Sequence, residues 1–465
     1  MGKNVVVIGA GLSGTLICNE LSKIYNVTLL EIGPEHSILF PKYICNNKKL
    51  AEVETFCYGR GGTTNLWHNG LISIHPKDVK SLSFKEVLVD AQPFIDKAAG
   101  ALYFTHPSFQ TEYDKLVENV NSLFKNFVVF PHGIDCLIYP KKFHKLTPAP
   151  RVKTFFHVEN IEFVIEQGRI SRVTFSVQGN DHALAPDIVI VAAGAMGTPG
   201  VLQKMIHAAG LSCHSVGVGF IDHPMGFVGK VRFKKDISPA FKKLSSYDKG
   251  DYVSRNAVRL KSGCGQYTAA AFFRPALTMD NRLSIYKYKS ALGASAGLAR
   301  IKKAFSWKIF HPDIVSEIFA HLFGVSIPSR TFNILFIAEQ KRGGNRVYYD
   351  NDQLHVDWSI SDEEIGAYRE MLNSLAGMLT DLSEEVNIHT EITDDWLWSA
   401  AHHSGTTSMG DKDDDLIDSD LKVKFCKNAF VCDGSVLQEH SYANTGLAIG
   451  QLAFRLVDHI RRKVV

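Results

Sequence analysis

Two adjacent histidines, His402 and His403, stand in Ala401-His402-His403-Ser404-Gly405-Thr406-Thr407-Ser408-Met409-Gly410, ahead of a turn. An imidazole with an unperturbed pKa of about 6.5 can act as a base at neutral pH, ligate a metal or fill a structural slot. Adjacent histidines rarely close on one ion, and the residues alone leave a base and a structural ring both open. Phe430-Val431-Cys432-Asp433-Gly434 reads as a short strand ending in an acid. Asn444-Thr445-Gly446 opens a closing helix with Ile449, Leu452, Ala453, Leu456 and Ile460 on one face. At the other end of the chain, Val5-Val6-Val7-Ile8 runs straight into Gly9-Ala10-Gly11-Leu12-Ser13-Gly14. In such a fingerprint Gly9 allows a tight turn, Gly11 lets the backbone approach a pyrophosphate, and Gly14 lets helix and strand pack closely. The helix start then offers free N–H groups to an anion. Val27-Thr28-Leu29-Leu30 reads as a second strand ending at Glu31, an acid about 20 residues on, as ribose recognition requires. The unit fits a dinucleotide, and NAD and FAD both use it.

A second glycine-rich stretch, Tyr58-Gly59-Arg60-Gly61-Gly62-Thr63-Thr64-Asn65-Leu66-Trp67-His68-Asn69-Gly70, suits a backbone wrapped round a bulky ligand. Its N–H groups and hydroxyls would face phosphates. Asp411-Lys412-Asp413-Asp414-Asp415 is no EF-hand, because the required Gly and Glu positions hold Leu416 and Lys422. No metal is expected.

The elements that must position these groups read as α/β. Asp187 to Val191 is another buried strand, and Thr198 as N-cap with Pro199 at the first helical position restarts a helix after it. Ile161–Ile165 and Arg169–Val177 flank Gln167-Gly168 as a hairpin. Alternating segments Phe227–Phe233, Tyr267–Phe273, Phe332–Ala338, Arg346–Tyr349 and Leu354–Trp358 predict an antiparallel sheet in a second domain. The expected division is 1–224 for a cofactor domain, with 76–149 as helical cover near the substrate; 225–394 for the substrate domain; and 395–465 for the rest of the cofactor domain.

The chain has 465 residues, 45% of them hydrophobic, and no apolar run of membrane-spanning length. It enters its first strand at once, which leaves no room for a leader, and its eight cysteines show no C-x-x-C pair; both suit the cytoplasm. Net charge is +3, yet residues 225–310 carry 18 Lys and Arg against four Asp and no Glu. That segment sums to +14, so the remainder sums to −11. The imbalance predicts an anionic partner there or a plain solvated surface. Ala296–Phe310 reads as a basic helix with Leu298, Ile301, Phe305 and Ile309 on one side, and Val315, Ile318, Phe319, Leu322 and Phe323 form a cleaner stripe after it. Peripheral contact with an anionic membrane, a lid or a dimer contact all fit. No nucleic-acid partner is expected.

The order of these motifs resembles the glucose-methanol-choline (GMC) oxidoreductases. The likeness rests on the fingerprint with Glu31, the Gly59–Thr64 loop, Ala192–Pro199, Gly219-Phe220-Ile221-Asp222-His223-Pro224, Val356-Asp357-Trp358, His402–Gly410, Asp418–Val423, and Asp433-Gly434-Ser435-Val436 followed by Asn444. Residues 225–345 match only loosely. Trp67 after the double glycine makes the loop similar to the pyranose oxidase branch. The resemblance implies a Rossmann-type FAD-binding domain with a parallel sheet, and a substrate domain with an antiparallel sheet and helices. It assigns Gly9, Gly11, Gly14, Glu31, Arg60, Gly61, Gly62, Thr63, Thr64, Asn65, Trp67 and Asp433 to the cofactor, with Asp433 on the ribityl chain. His402 becomes the base and Asn444 its companion, with His403 beside them as a second candidate ring. Where pyranose oxidases carry the histidine that links the flavin, this chain has Leu66, so noncovalent FAD is expected unless His68 substitutes. The implied reaction is oxidation of a primary or secondary alcohol, on a sugar or cyclitol; the +14 segment adds the expectation of an anionic substrate or carrier, phosphorylated or linked to a nucleotide or lipid diphosphate. An NAD-dependent dehydrogenase and a noncatalytic flavin-binding interaction protein are the rival readings.

Overall fold

The computed structural model describes residues 2–47, 50, 54–212, 214–294, 307–323 and 328–463. Most of the expected basic helix, Ala296 to Phe310, falls outside the described residues.

Val5, Val6, Val7 and Ile8 are buried on both faces because their strand, Asn4–Ile8, is the middle of a five-stranded parallel sheet. The order is Ala429–Val431, Ile188–Val191, Asn4–Ile8, Asn26–Leu30, Lys153–Phe155. Parallel neighbours need crossovers, which is why the sheet gathers strands from both ends and the middle of the chain. The fingerprint helix Leu12–Leu21 packs on the closing helix Gly446–Lys463. Gly9 takes φ +109°, and a Cβ there would lie 2.4 Å from the Ala192 carbonyl oxygen. A Cβ on Gly14 would lie 1.9 Å from the Gly9 oxygen, so helix and strand can approach this closely only with glycine at both positions.

The second sheet is antiparallel, with Thr331–Ala338 between Thr268–Ala276 and Pro224–Phe233 and with Tyr252–Lys261 and Ser383–Ile388 further out. The division expected from sequence needs two corrections. Ile134–Pro140, placed in the helical cover, pairs with Tyr252–Lys261 and extends the substrate sheet. Its residues are buried almost without alternation under the helix Phe109–Ser122, so no period-two signal marks it. The hairpin Arg346–Asp350 with Gln353–Asp357, placed in the substrate domain, instead joins Tyr43–Cys45 of the first segment. The helix Asp362–Thr380 was not foreseen, although Ser361 and Glu364 form a capping box at its start.

Thr198 and Pro199 do not start a helix. The helix Gly194–Ala208 begins five residues before Pro199, which sits inside it. A proline there cannot donate to the carbonyl four residues back, Ala195. The Thr406 hydroxyl donates to that oxygen instead, at 2.9 Å. The carbonyl freed by the proline therefore docks the histidine loop. Thr406→Val should leave a buried carbonyl unpartnered and cost about 1–3 kcal/mol in urea unfolding, while Thr406→Ser should recover most of it. Equal stability of both variants would refute this docking role.

Candidate active site

Asp222 and His223 follow Ile221, which bridges to Ser404, so the strand entering the substrate sheet runs beside the histidine loop. Asp222 is fully buried and its carboxylate accepts the N–H groups of His223 at 2.7 Å and His402 at 2.9 Å, together with the Ser399 hydroxyl. One carboxylate thus fixes the backbone of both histidines. Burial raises its pKa, and these donors and the His402 ring pull it back.

Nδ1 of His402 lies 2.8 Å from Nδ1 of His223, whose Nε2 lies 2.8 Å from the Ser441 carbonyl oxygen. Burial holds His223 well below its ordinary pKa and brings His402 down to about 4, so both rings are neutral at pH 7. The proton positions follow from these partners. A carbonyl only accepts, so His223 carries its hydrogen on Nε2 and leaves Nδ1 bare. His402 must then donate from Nδ1, and its Nε2 keeps the lone pair. No described residue bonds that Nε2. A partly exposed imidazole is left with one basic nitrogen facing away from its support.

Asn444 follows three residues after Ser441, whose carbonyl oxygen holds His223. A Cβ on Gly70 would sit 3.0 Å from the Asn444 amide nitrogen, so this group lies against the end of the second glycine-rich loop. His403 does not join the hydrogen-bonded pair. Its ring packs 5.9 Å from Phe56 and 5.6 Å from Phe220, with Nε2 3.5 Å from Asp222, and burial lowers its pKa to about 3. His440 had escaped notice. Its ring centroid is 3.9 Å from that of His223, and burial holds its pKa at about 3. Only the pairing of distant segments shows it, although Asp222-His223-Pro224 did stand out in the sequence.

These four imidazoles tie stability to pH. Unfolded, each charges at about 6.5; folded, His402 resists protonation to about 4 and His403 and His440 to about 3. The unfolded state binds more protons in that window, so their contribution is complete above about pH 6.5 and is lost as pH falls towards 4. Urea midpoints at pH 7.5, 6 and 5 should therefore decline in that order; a flat profile would show that the rings charge freely in the fold.

A Cβ on Gly11 would meet nothing within 4 Å, which leaves open space in front of the turn. Gly61 donates to the Ala10 oxygen at 2.9 Å, and a Cβ on Gly62 would be 3.1 Å from Gly11 Cα, so the second glycine loop seats on the fingerprint turn. Within it Asn65 holds the Arg60 and Gly62 carbonyls, Thr64 donates to Gly61, and Thr63 is exposed. Arg60 lies 3.8 Å from Glu35. Trp67 lies over Gly446, where a Cβ would be 2.4 Å from the indole. Asn69 is buried, and neither atom of its amide has a partner among the described residues.

Glu31 is buried and accepts N–H groups from Ala10, Gly33 and Gly59 at 2.7–3.0 Å, joining both glycine loops. Burial raises its pKa against these donors. Asp433 accepts from Gly194, Thr198 and Ser435 at 2.6–2.9 Å. A cleft of about 540 Å³ lies at the carboxyl ends of Asn26–Leu30 and Lys153–Phe155, lined by Pro34, Glu35, His36 and His157 among others. Doubly wound sheets take nucleotides at the carboxyl ends of their strands. The turn, the orphaned Asn69 amide and this cleft all fit an adenine dinucleotide.

Residues 344–453 match the family model of the GMC oxidoreductase C-terminal region, which spans the histidine pair, Asp433 and Asn444. No curated protein matches the chain in sequence. Among solved structures, pyridoxine 4-oxidase from Mesorbium loti is similar over 99% of both chains, with a TM-score of 0.61 and 13% identity. That likeness extends the fold over the whole chain, while the family match falls on the segment bearing the chemistry. With both in place, residues 344–453 are similar to the C-terminal region of the GMC oxidoreductases, and the whole chain shares the fold of a pyridoxine 4-oxidase.

Proposed function

We propose that the protein oxidises a hydroxyl on a sugar or cyclitol ring, with FAD held noncovalently and a substrate that is anionic or attached to an anionic carrier. The observation carrying this reading is the chain from His402 through His223 to the Ser441 carbonyl, which leaves Nε2 of His402 as a base. An alcohol cannot release hydride while its hydroxyl proton stays in place, so a base must take that proton as the C–H bond breaks. His402 would receive it at Nε2. Asn444 would hold the same oxygen through its amide. When bound, FAD supplies the hydride acceptor. Residues 9–14 and 59–70 with Glu31 and Asp433 would hold it, and the start of the closing helix favours negative charge there.

Leu66, at the position of the pyranose oxidase linking histidine, supports noncovalent attachment, and Trp67 supports placement near that branch. The +14 segment supports an anionic substrate or carrier. The test is the visible spectrum of the purified protein before and after acid precipitation. Flavin released into the supernatant is expected. A panel of free, phosphorylated and nucleotide-linked sugars, with pyridoxine as the heteroaromatic alternative, should then bleach it anaerobically only where the substrate is right. A colourless protein that added FAD cannot restore would overturn the reading, and flavin that stays with the pellet would overturn noncovalent attachment.

A further inference from the structure

Among the described residues, the exposed face between Trp307 and Ile318 has no role in the chemistry above, yet it is firmly attached to the fold. Lys230 is wholly buried in the strand Pro224–Phe233 and forms an ion pair with Asp313, near the start of the helix Pro312–Phe323. Asp313 also accepts the backbone N–H groups of Leu277 at 2.6 Å and Thr278 at 3.1 Å, and His311 reaches Asp280 at 3.1 Å. Just before this region in the chain, Tyr286 of the helix Leu283–Ala294 stacks on Phe227 at 5.5 Å. Phe227 in turn neighbours Trp398, four residues before His402.

On the outward side, Val315 and Ile318 of the apolar stripe are 47% and 36% exposed, while Asp313, Ile314 and Ser316 turn inward. Trp307 is 90% and Phe310 71% exposed, so four large apolar side chains face solvent within twelve positions. Residues 281–318 carry seven Lys and Arg against two acids, Glu317 and the buried Asp313.

We propose that this face docks the protein on a bilayer surface rich in anionic lipid. Exposed tryptophan and phenylalanine among lysines and arginines match the headgroup boundary, where rings insert and cations meet lipid charge. A second copy of the chain would oppose this strongly basic segment with its like, which charge disfavours. Docking would place the Tyr286 side of the region, and the histidines beyond it, within reach of a lipid-linked substrate. The inference extends the proposed reaction without depending on it.

The test is cosedimentation of the full chain with vesicles of phosphatidylcholine alone or with about one third phosphatidylserine. Binding to the anionic vesicles is expected to be at least about tenfold tighter and to be lost in about 0.5 M salt. Trp307→Glu and, separately, Phe310→Glu should each weaken it by about tenfold with an unchanged melting temperature and unchanged bleaching by a soluble substrate. Equal binding to neutral vesicles, no binding, or binding that survives both substitutions would overturn the proposal. So would a dimer in sedimentation that either substitution dissolves, which would assign the face to self-association.

Discussion

Changing His402 to alanine is expected to lower kcat/KM by about 10²–10⁴-fold, the usual loss when a positioned base is removed. The fall should appear in kcat, with KM little changed, because the proton moves only as the C–H bond breaks. Flavin content should stay the same, since His402 is absent from the glycine loops that would hold the cofactor. The pH profile carries the sharper signature. With its pKa held at about 4 by burial, the wild-type base stays ready across the neutral range, so kcat/KM should be level from about pH 6 to 8. In the alanine variant hydroxide would have to serve, and the residual rate should climb with pH. A variant that kept activity within a few fold, or showed the same level profile, would remove His402 from the chemistry. His403→Ala is the natural control: its ring packs between Phe56 and Phe220, so the expected damage is to stability first.

His223→Ala should be the next most damaging change, through His402. With its Nδ1 partner gone, nothing would hold the His402 hydrogen on Nδ1, and a share of molecules would carry it on Nε2, where it blocks proton uptake. Loss of a group that fixes the tautomer of another commonly costs about 10–100-fold. His223→Gln provides a rescue, because its amide can donate towards the Ser441 carbonyl and still accept from His402. Recovery by glutamine but not by leucine, at unchanged KM, would establish a positioning role. Equal loss in all three variants at matched melting temperatures would reject it.

The sequence was most legible where chemistry and geometry are local. The fingerprint turn, the buried strands Asn4–Ile8 and Ile188–Val191, and the Gln167-Gly168 hairpin depend on neighbours a few residues apart, and each stands where it was expected. The histidine cluster was only half legible. His402 and Asn444 could be named, but His223 lies 179 residues from His402 and 218 from Ser441, and no local pattern encodes those bonds. His440 follows the same logic. Pro199 misled because a proline near a helix start is common, whereas its place inside Gly194–Ala208 depends on a hydroxyl from Thr406 far along the chain. The stripe of Val315 and Ile318 was legible as apolar spacing, but the way it faces depends on Asp313, which pairs inward with the buried Lys230.

The parallel sheet also imposes a timetable on synthesis. Its outer strand Ala429–Val431 and the helix that covers Leu12–Leu21 come far later in the chain, so the fingerprint strand and helix leave the ribosome long before these partners exist. At roughly 5–20 residues per second, the apolar run Val5–Ile8 waits on the order of 20–90 s for its full cover. The nascent chain is therefore a natural client for chaperones that shield apolar strands. A stop codon between residues 404 and 428 would spare His402 and His403 and still leave the first half of the sheet without the strand and helix that bury it.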